Sequence, residues 1–237
     1  MGFDLVKIDK REFFIDILLP NRCPFCDKVI KWNLYCCEDC FENAEWLDAE
    51  YPDICRRCGR IVCICDTGRV KYDFCYCAGA YEDRLVKNAV LSLKYSHSRN
   101  AAEIFASRLA GVLRSEGRDN FDCIVPVPMN KFKELKRGIN HSEMLAGALS
   151  RKLHIPVNTS LLKKRYSFHS QHSRRRAERE RSVYKEYCRR SVQDLIGEKI
   201  LLCDDIMTTG STINRCSELL REMGAAEVTA AVCAETI

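Results

Sequence analysis

The sequence predicts an α/β protein with a doubly wound, mostly parallel sheet, preceded by a small cysteine-rich domain. Two short apolar runs, at residues 121–127 and 200–203, have the composition of strands that are buried on both faces of a parallel sheet. Each run leads through a glycine-containing turn into a helical pattern, as in alternating β/α folds. Eleven of the sixteen cysteines lie between Cys23 and Cys77. We therefore expect a cysteine-rich domain at residues 1–80 and a larger α/β domain at residues 81–237.

The composition indicates a folded protein in a reducing compartment. The chain has 237 residues, of which 46% are hydrophobic, which suffices for one domain of moderate size and a small addition. Residues 13–19 are apolar but short, and Asp16 interrupts them, so we expect no secretory signal. No apolar run approaches the roughly 18 residues that a membrane span requires. The expected location is the cytoplasm, without membrane insertion.

Two CxxC knuckles open the cysteine-rich domain and predict a structural zinc site. Cys23 and Cys26 form the first knuckle, and Cys37 and Cys40 form the second, with ten residues between the two knuckles. Each knuckle presents two thiolates from a tight turn, so the four complete a tetrahedron. Cys36 is a neighbouring thiol that could replace Cys37.

A second set of thiols follows, with less regular spacing. Cys55 and Cys58 form a knuckle, and Cys63 and Cys65 could supply the other two ligands of a second zinc ion. Cys75 and Cys77 are alternatives to Cys63 or Cys65, and an unpaired cysteine is otherwise a small buried hydrophobe. Closed four-cysteine sites are structural, so we expect the chemistry to lie elsewhere.

The first part of the α/β domain predicts two helices and then a strand. Apolar residues recur at helical spacing from Tyr81 to about Ser115, with an interruption around residues 96–98. The strand at residues 121–127, ended by two prolines, should be the first strand of the core sheet. A polar turn containing Arg137 and Gly138 precedes the next helix, and a glycine turn flanked by cations suits a diphosphate.

The strand at residues 200–203 ends in the acidic pair Asp204 and Asp205, at the edge where parallel sheets bind ligands. The segment from Thr208 to Thr212 adds hydroxyls, a glycine and the N–H groups that open a helix, which together make an anion cradle. A sugar phosphate fits this layout, because the carboxylates can accept hydrogen bonds from ribose hydroxyls. The alternative is a solvated acidic turn. A response-regulator receiver domain also ends a strand in an acidic pair, but we do not expect one, because it needs several more strand and helix pairs than the 25 residues after Thr212 provide.

The thirteen residues from Ile200 to Thr212 resemble the phosphoribosyl pyrophosphate (PRPP) loop of type I phosphoribosyltransferases. Over nearly the whole chain the sequence resembles the ComF family, phosphoribosyltransferase-like proteins linked to DNA uptake in naturally competent bacteria. The shared features, in order, are the cysteine knuckles, Leu93-Lys94-Tyr95, Pro126-Val127-Pro128, Arg137-Gly138-Ile139-Asn140 and the PRPP loop. Family members often carry Gln where this chain has His141, and Asn where it has Ser182.

The resemblance implies a type I phosphoribosyltransferase fold with an amino-terminal zinc-binding domain, and it implies PRPP and Mg²⁺ as ligands. By this likeness Asp204, Asp205 and Arg137 carry the catalysis, in which a nitrogen nucleophile displaces pyrophosphate from C1 of PRPP. The residues that would bind PRPP are Arg137, Gly138, Asp204, Asp205, Thr208, Thr209, Gly210, Ser211 and Thr212. No general base is apparent, because Thr208 stands where purine phosphoribosyltransferases often have Asp.

Two hypotheses of function follow. The first is a phosphoribosyltransferase with an unidentified acceptor. The second is a non-enzymatic adaptor of the DNA uptake machinery that binds PRPP or single-stranded DNA. The segment at residues 163–190, with eleven Lys or Arg against three Glu, could close over a diphosphate, meet nucleic acid phosphates or form a solvated helix. Its aromatic residues, among them Tyr184 and Tyr187, could stack on bases or pack inward.

Overall fold

The computed structural model describes residues 20–47, 54–60, 63–65, 68, 70–130, 134–135, 138–165 and 183–236. The helices are α1 (Glu38–Glu42), α2 (Arg84–Tyr95), α3 (Arg99–Ser115), α4 (His141–Leu153) and α5 (Ser211–Glu222). The strands are β1 (Phe74–Ala80), β2 (Cys123–Pro126), β3 (Leu162–Lys164), β4 (Tyr187–Arg189), β5 (Lys199–Met207) and β6 (Glu227–Glu235).

The central sheet has four strands in the order β1-β6-β5-β2, and all neighbouring pairs are parallel. A single parallel bridge between Ile124 and Val157 extends the sheet beyond β2. Strands β3 and β4 form a separate antiparallel pair. The predicted class, a doubly wound parallel sheet, is confirmed.

Helices cover both faces of the sheet because alternate strand residues point in opposite directions. Leu201 and Cys203 of β5 belong to a buried cluster with residues of α2, α3 and α4. Ile200 and Leu202 belong to a second buried cluster that includes the apolar side of α5. The strands are therefore buried on both faces, which explains why their sequences are continuous apolar runs.

The predicted pair of helices between Tyr81 and Ser115 is confirmed as α2 and α3. Side chains cap both: Asp83 accepts a hydrogen bond from the Val86 N–H at 2.8 Å, and Ser98 accepts one from the Ala101 N–H at 3.2 Å. The interruption between the helices contains His97, whose φ is 51°. None of the helices in the described ranges combines the length and apolar character needed to cross a membrane.

The prediction that residues 121–127 form the first strand of the sheet is wrong. Strand β1 precedes them and pairs with β6, although it falls within the segment predicted as the cysteine-rich domain. Its sequence, Phe-Cys-Tyr-Cys-Ala-Gly-Ala, suggested metal ligands because of its two thiols, but Cys75 and Cys77 are buried in the sheet.

The cysteine-rich segment pairs through its backbone with the edge of β1. Trp46 forms an antiparallel bridge with Gly79, and the Leu47 N–H donates to the Ala78 carbonyl at 3.0 Å. A Cβ at Gly79 would lie 2.9 Å from the side chain of Val86, so no larger residue fits there without a shift. The Trp46 ring packs edge-on against two other rings. Its centroid lies 6.2 Å from that of Phe105 in α3 and 6.1 Å from that of Phe25. The segment is therefore docked on the sheet and on the α2–α3 side.

Candidate functional site

A cleft of about 330 Å³ opens at the carboxyl ends of β2 and β5. Helix α4, which follows β2, packs on one face of the sheet, and α5, which follows β5, packs on the opposite face. The connections after these two neighbouring strands therefore run to opposite sides of the sheet. Such a switch point leaves a crevice where doubly wound sheets bind ligands. The cleft is lined by Lys94, Val127, Pro128, Met129, Asn130, Asn140, His141, Ser142, Lys164, Tyr187, Asp204, Asp205, Ile206 and Thr212.

Asp204 is the inner carboxylate of the acidic pair. Its Oδ1 accepts a hydrogen bond from the Ser142 hydroxyl at 3.0 Å and one from the Asp205 N–H at 2.9 Å. Burial, with a further contribution from the negative charge of Asp205, raises the pKa of Asp204 to about 7. The hydrogen bond from Ser142 joins this carboxyl, near the end of β5, to the first turn of α4.

Asp205 is the outer carboxylate, and it faces the ammonium group of Lys94 and the imidazole of His141 in the cleft. Its Oδ2 lies 3.1 Å from Lys94 Nζ and 3.5 Å from His141 Nε2. Its Oδ1 accepts a hydrogen bond from the Ile206 N–H at 2.6 Å. Because the side chains of Asp205 and Lys94 are only 14% and 19% exposed, replacing Asp205 also affects Lys94. A ligand hydroxyl would meet a carboxylate that is already oriented.

The loop after β5, residues 208–210, leads directly into α5. Gly210 has φ 74°, a left-handed conformation that favours glycine, and immediately precedes the helix. Thr209 Oγ1 lies 2.7 Å from Ser211 Oγ, so two hydroxyls are held together at the helix start. Backbone N–H groups at this end carry partial positive charge and suit an anion. The predicted cradle is thus beside the acidic pair, and Thr212 reaches the cleft wall.

The predicted Arg-Gly turn is described only in part, because Arg137 lies outside the described residues. Gly138 has φ 84°, so a glycine is favoured there. Asn140, which is 2% exposed, caps α4 by accepting a hydrogen bond from the Ser142 N–H. Its amide donates to the Val127 carbonyl at 3.2 Å. Asn140 therefore holds the end of this turn against the end of β2.

Lys164 and Tyr187, on the β3–β4 pair, form another wall of the cleft. Lys164 Nζ donates to the Tyr187 hydroxyl at 2.8 Å and lies 3.4 Å from Glu186. Tyr187 is 5% exposed, so it packs inward, whereas Tyr184 is exposed beside Arg215. The centre of the basic segment, residues 166–182, lies outside the described residues.

Sequence reasoning did not assign roles to Lys94, His141 or Ser142, and it considered Lys164 and Tyr187 only as members of the basic segment at residues 163–190. Lys94 belonged to a family segment without a stated function, and His141 was noted only as a departure from the family. These residues come from α2, α4, β3 and β4, and the fold brings them to one cleft. The usable signal was their position: His141 and Ser142 directly follow the Arg-Gly turn.

The first predicted set of thiols converges in the structure. The sulfur atoms of Cys23, Cys26, Cys37 and Cys40 lie within 4.8 Å of one another and could hold a metal ion. Cys26 Sγ and Cys37 Sγ are 3.7 Å apart. The set includes Cys37 rather than Cys36, whose thiol is buried in the adjoining core.

The second predicted set also converges. The sulfur atoms of Cys55, Cys58, Cys63 and Cys65 meet the same 4.8 Å limit and could hold another metal ion. Cys55 Sγ lies 3.5 Å from Cys63 Sγ and 3.7 Å from Cys65 Sγ. The alternatives Cys75 and Cys77 are on β1, where the Cys77 thiol donates to Glu235 Oε2 at 3.5 Å.

The raised pKa of Asp204 predicts a pH-dependent stability. Between about pH 4, the ordinary carboxyl range, and pH 7, the folded state holds a proton that the unfolded state has lost. The free energy of unfolding should therefore fall as pH rises through this window and level off above it. We expect Asp204→Asn, which keeps the acceptor for Ser142, to be more stable than wild type by about 2–4 kcal/mol at pH 8 and by much less at pH 4.

Urea denaturation of both proteins at these two pH values measures the difference. Asp119→Asn, at an exposed carboxylate, is the matched control and should behave as wild type. A difference between Asp204→Asn and wild type that is the same at both pH values would contradict the assignment.

Comparison with known proteins finds its family match in the part of the chain that forms the cleft. The family described as "Phosphoribosyl transferase domain" matches residues 139–236, which contain α4, the acidic pair and the glycine loop. Competence protein F of Haemophilus influenzae is 32% identical over 108 residues, which are 45% of this chain and 47% of that protein. Competence protein ComFC of Streptococcus pneumoniae is 36% identical over 126 residues, covering 53% of this chain and 52% of that protein.

A longer but weaker match is the DNA utilization protein YhgH of Salmonella typhimurium, which is 27% identical over 218 residues. That match covers 87% of this chain and 86% of that protein. In the stronger matches the chain spans about half the length of the curated relatives. The matched phosphoribosyl transferase domain, its parallel sheet and the named relatives agree with the motifs of the sequence: residues 139–236 match a phosphoribosyl transferase domain, and the chain is similar to the competence and DNA utilization proteins of the ComF type.

Proposed function

We propose that the cleft binds PRPP together with Mg²⁺. The observation that carries the proposal is the placement of Asp204 and Asp205 directly before a glycine loop that opens α5. The 5′-phosphate would lie against residues 208–212, and the carboxylates would accept hydrogen bonds from the ribose hydroxyls. Arg137 and Gly138 would contact the pyrophosphate with Mg²⁺, and Lys94 and Lys164 would add positive charge to the walls.

The two cysteine sets suit structural zinc. A zinc–sulfur bond of about 2.3 Å in a tetrahedron gives sulfur–sulfur separations of about 3.8 Å. The separations of 3.5 and 3.7 Å in these sets are close to that value. Four thiolates leave no open position for substrate, so zinc in these sets would stabilise the fold and would not activate water.

The reaction that fits this site is transfer of the phosphoribosyl group to a nitrogen nucleophile, with pyrophosphate as the leaving group. The cleft also contains an imidazole to which sequence reasoning gave no role: His141, whose Nε2 lies 3.5 Å from Asp205 Oδ2. The site can therefore orient the ribose and offer a histidine to the acceptor or the leaving group. Pyrophosphate release, measured with PRPP, Mg²⁺ and a panel of nucleobases and small amines, tests for turnover and identifies the acceptor.

A second candidate function is binding of single-stranded DNA as an adaptor for DNA uptake. Matched relatives carry the names "Competence protein" and "DNA utilization protein". In addition, the β3–β4 pair next to the cleft carries the exposed cation Lys163, and the exposed cations Arg165 and Arg190 directly follow the two strands. A basic strip of this kind attracts a phosphate backbone through counterion release.

Replacing Arg174, Arg175 and Arg176 with Ala separates the possible uses of the basic segment. If DNA binds along this segment, the affinity for single-stranded DNA should fall. Its dependence on salt should become less steep, because the variant releases at most about three fewer counterions on binding, and PRPP affinity should change little. If the segment closes over pyrophosphate, PRPP should dissociate faster and DNA binding should stay unchanged. DNA binding measured by fluorescence anisotropy at several salt concentrations distinguishes the two.

The control removes the same charge elsewhere: Lys28, Lys31 and Arg57, which are exposed on the cysteine-rich segment, are replaced together with Ala. A triple arginine variant that matches wild type in both assays would leave the segment as a solvated, charged surface.

A further inference from the structure

The second cysteine set is in direct contact with the proposed phosphate loop. Arg60 follows Cys58 by two residues, and its Nη2 donates a hydrogen bond to the Thr208 carbonyl at 2.6 Å. The two residues are 148 positions apart in the chain. Gly210 is part of the same contact, because a Cβ built there would lie 3.7 Å from the Arg60 guanidinium. One arginine therefore joins the thiol knuckle to the loop.

The knuckle fixes the backbone from which Arg60 extends. The Cys55 N–H donates to the Arg60 carbonyl at 2.9 Å, and the Gly59 N–H donates to the Cys55 carbonyl at 2.7 Å. Gly59 has φ 72°, and a Cβ there would come within 2.7 Å of Cys75 Sγ. Only glycine allows this turn to sit so closely on β1. The position of Arg60 is therefore tied to the geometry of the four thiols.

The other side of the contact is equally constrained. Arg60 Nε lies 3.7 Å from Glu235 Oε1, and Glu235 is 3% exposed at the end of β6. Tyr72 donates its hydroxyl proton to the Cys58 carbonyl at 3.1 Å, and this hydroxyl lies 3.8 Å from Met207 Sδ. The last residue of β5, Met207, thus connects to the knuckle through Tyr72, and the first residue of the loop, Thr208, connects to it through Arg60. A displacement of the knuckle has to be accommodated at the loop.

We propose that Arg60 positions the phosphate loop and couples ligand binding there to metal binding by Cys55, Cys58, Cys63 and Cys65. The proposal rests on the proposed function, since it requires PRPP at the loop. Arg60 does not need to touch the ligand, because it holds the carbonyl of Thr208 and so sets the direction of the N–H groups that follow. By thermodynamic linkage, PRPP must then stabilise the bound metal by the same factor by which the metal improves PRPP affinity.

The test is the rate at which zinc passes from the purified protein to a chromogenic chelator, with and without PRPP and excess Mg²⁺. In wild type we expect saturating PRPP to slow one phase of release by about tenfold, within the usual range of allosteric coupling. Cys63→Ser, which removes the exposed ligand of the second set, should lack this phase. Asp205→Asn, which should not bind PRPP at this concentration, controls for zinc binding by PRPP in solution.

Arg60→Ala should retain both zinc ions and lose the protection by PRPP. Arg57→Ala is the matched control, since Arg57 is an exposed arginine of the same knuckle, and it should keep the protection. If Arg60→Ala fails to fold, Arg60→Lys keeps a cation beside Glu235 but lacks the second arm of the guanidinium, and it should lose most of the protection. A purely structural role for Arg60 would change zinc release equally with and without PRPP.

Two results would overturn the coupling while leaving the proposed function intact. One is zinc release from wild type that is insensitive to PRPP at a concentration that calorimetry shows to be saturating. The other is full protection in Arg60→Ala or Arg60→Lys. If calorimetry shows that wild type does not bind PRPP, the proposed function fails, and the coupling fails with it.

Discussion

Replacing Asp205 with Asn is expected to lower the affinity for PRPP with Mg²⁺ by about 100-fold, because hydrogen bonds to a charged acceptor contribute roughly 1.5–3 kcal/mol each and 1.4 kcal/mol is a factor of ten. Lys94 Nζ and His141 Nε2 already lie beside the Asp205 carboxylate in the free protein, so the carboxylate is oriented before a ligand binds. The amide is neutral and offers one acceptor oxygen instead of two.

The same substitution should lower the melting temperature of the free protein by a few degrees, because Lys94 loses its partner in a mostly buried position. Adding Lys94→Met should recover stability without recovering PRPP binding. Calorimetry and thermal denaturation of the single and double variants measure these two effects, and Asp119→Asn serves as the control for a carboxylate outside the cleft. Wild-type affinity in Asp205→Asn would exclude Asp205 from the ribose site.

The second large effect is expected at the first cysteine set. Cys26→Ser should reduce the zinc content from about two equivalents to about one, since a structural site that loses one of its four thiolates binds zinc far more weakly. Because Phe25 packs against Trp46, and Trp46 against Phe105, loss of this metal should also loosen the contact with α3. Faster proteolysis of the amino-terminal segment and altered tryptophan fluorescence would report the loosening.

Cys36→Ala provides the control for this experiment. Its thiol is adjacent to Cys37 but lies in the core and outside the set, so this variant should keep both zinc ions even if it is less stable. Unchanged zinc content in Cys26→Ser would show that the four thiols do not form a metal site.

Much of the fold could be predicted because its signals are local. The apolar run before Asp204, the break between α2 and α3, and the knuckle spacings each depend on residues close together in the chain. Strand β1 was missed for a physical reason, because its two cysteines could equally be metal ligands. Only its pairing with β6, more than 150 residues away in the chain, shows that these cysteines are buried hydrophobic residues.

The residues at the centre of the cleft could be predicted from the sequence, but the residues that form its walls could not. Asp204, Asp205 and the loop to Thr212 are contiguous, so their chemistry is visible in one stretch. Lys94, His141 and Lys164 acquire a role only when α2, α4 and β3 meet at the end of the sheet. Arg60 is similar, since its contact with Thr208 depends on how the knuckle docks on β1.

The most direct measurement is a calorimetric titration of the unaltered protein with PRPP in the presence of Mg²⁺. The structure predicts saturable binding at one site per chain, tighter than that of ribose 5-phosphate, which lacks the pyrophosphate, and strongly reduced in Asp205→Asn. Absence of binding heat up to millimolar PRPP, with zinc sites filled and the protein folded, would contradict the assignment of the cleft.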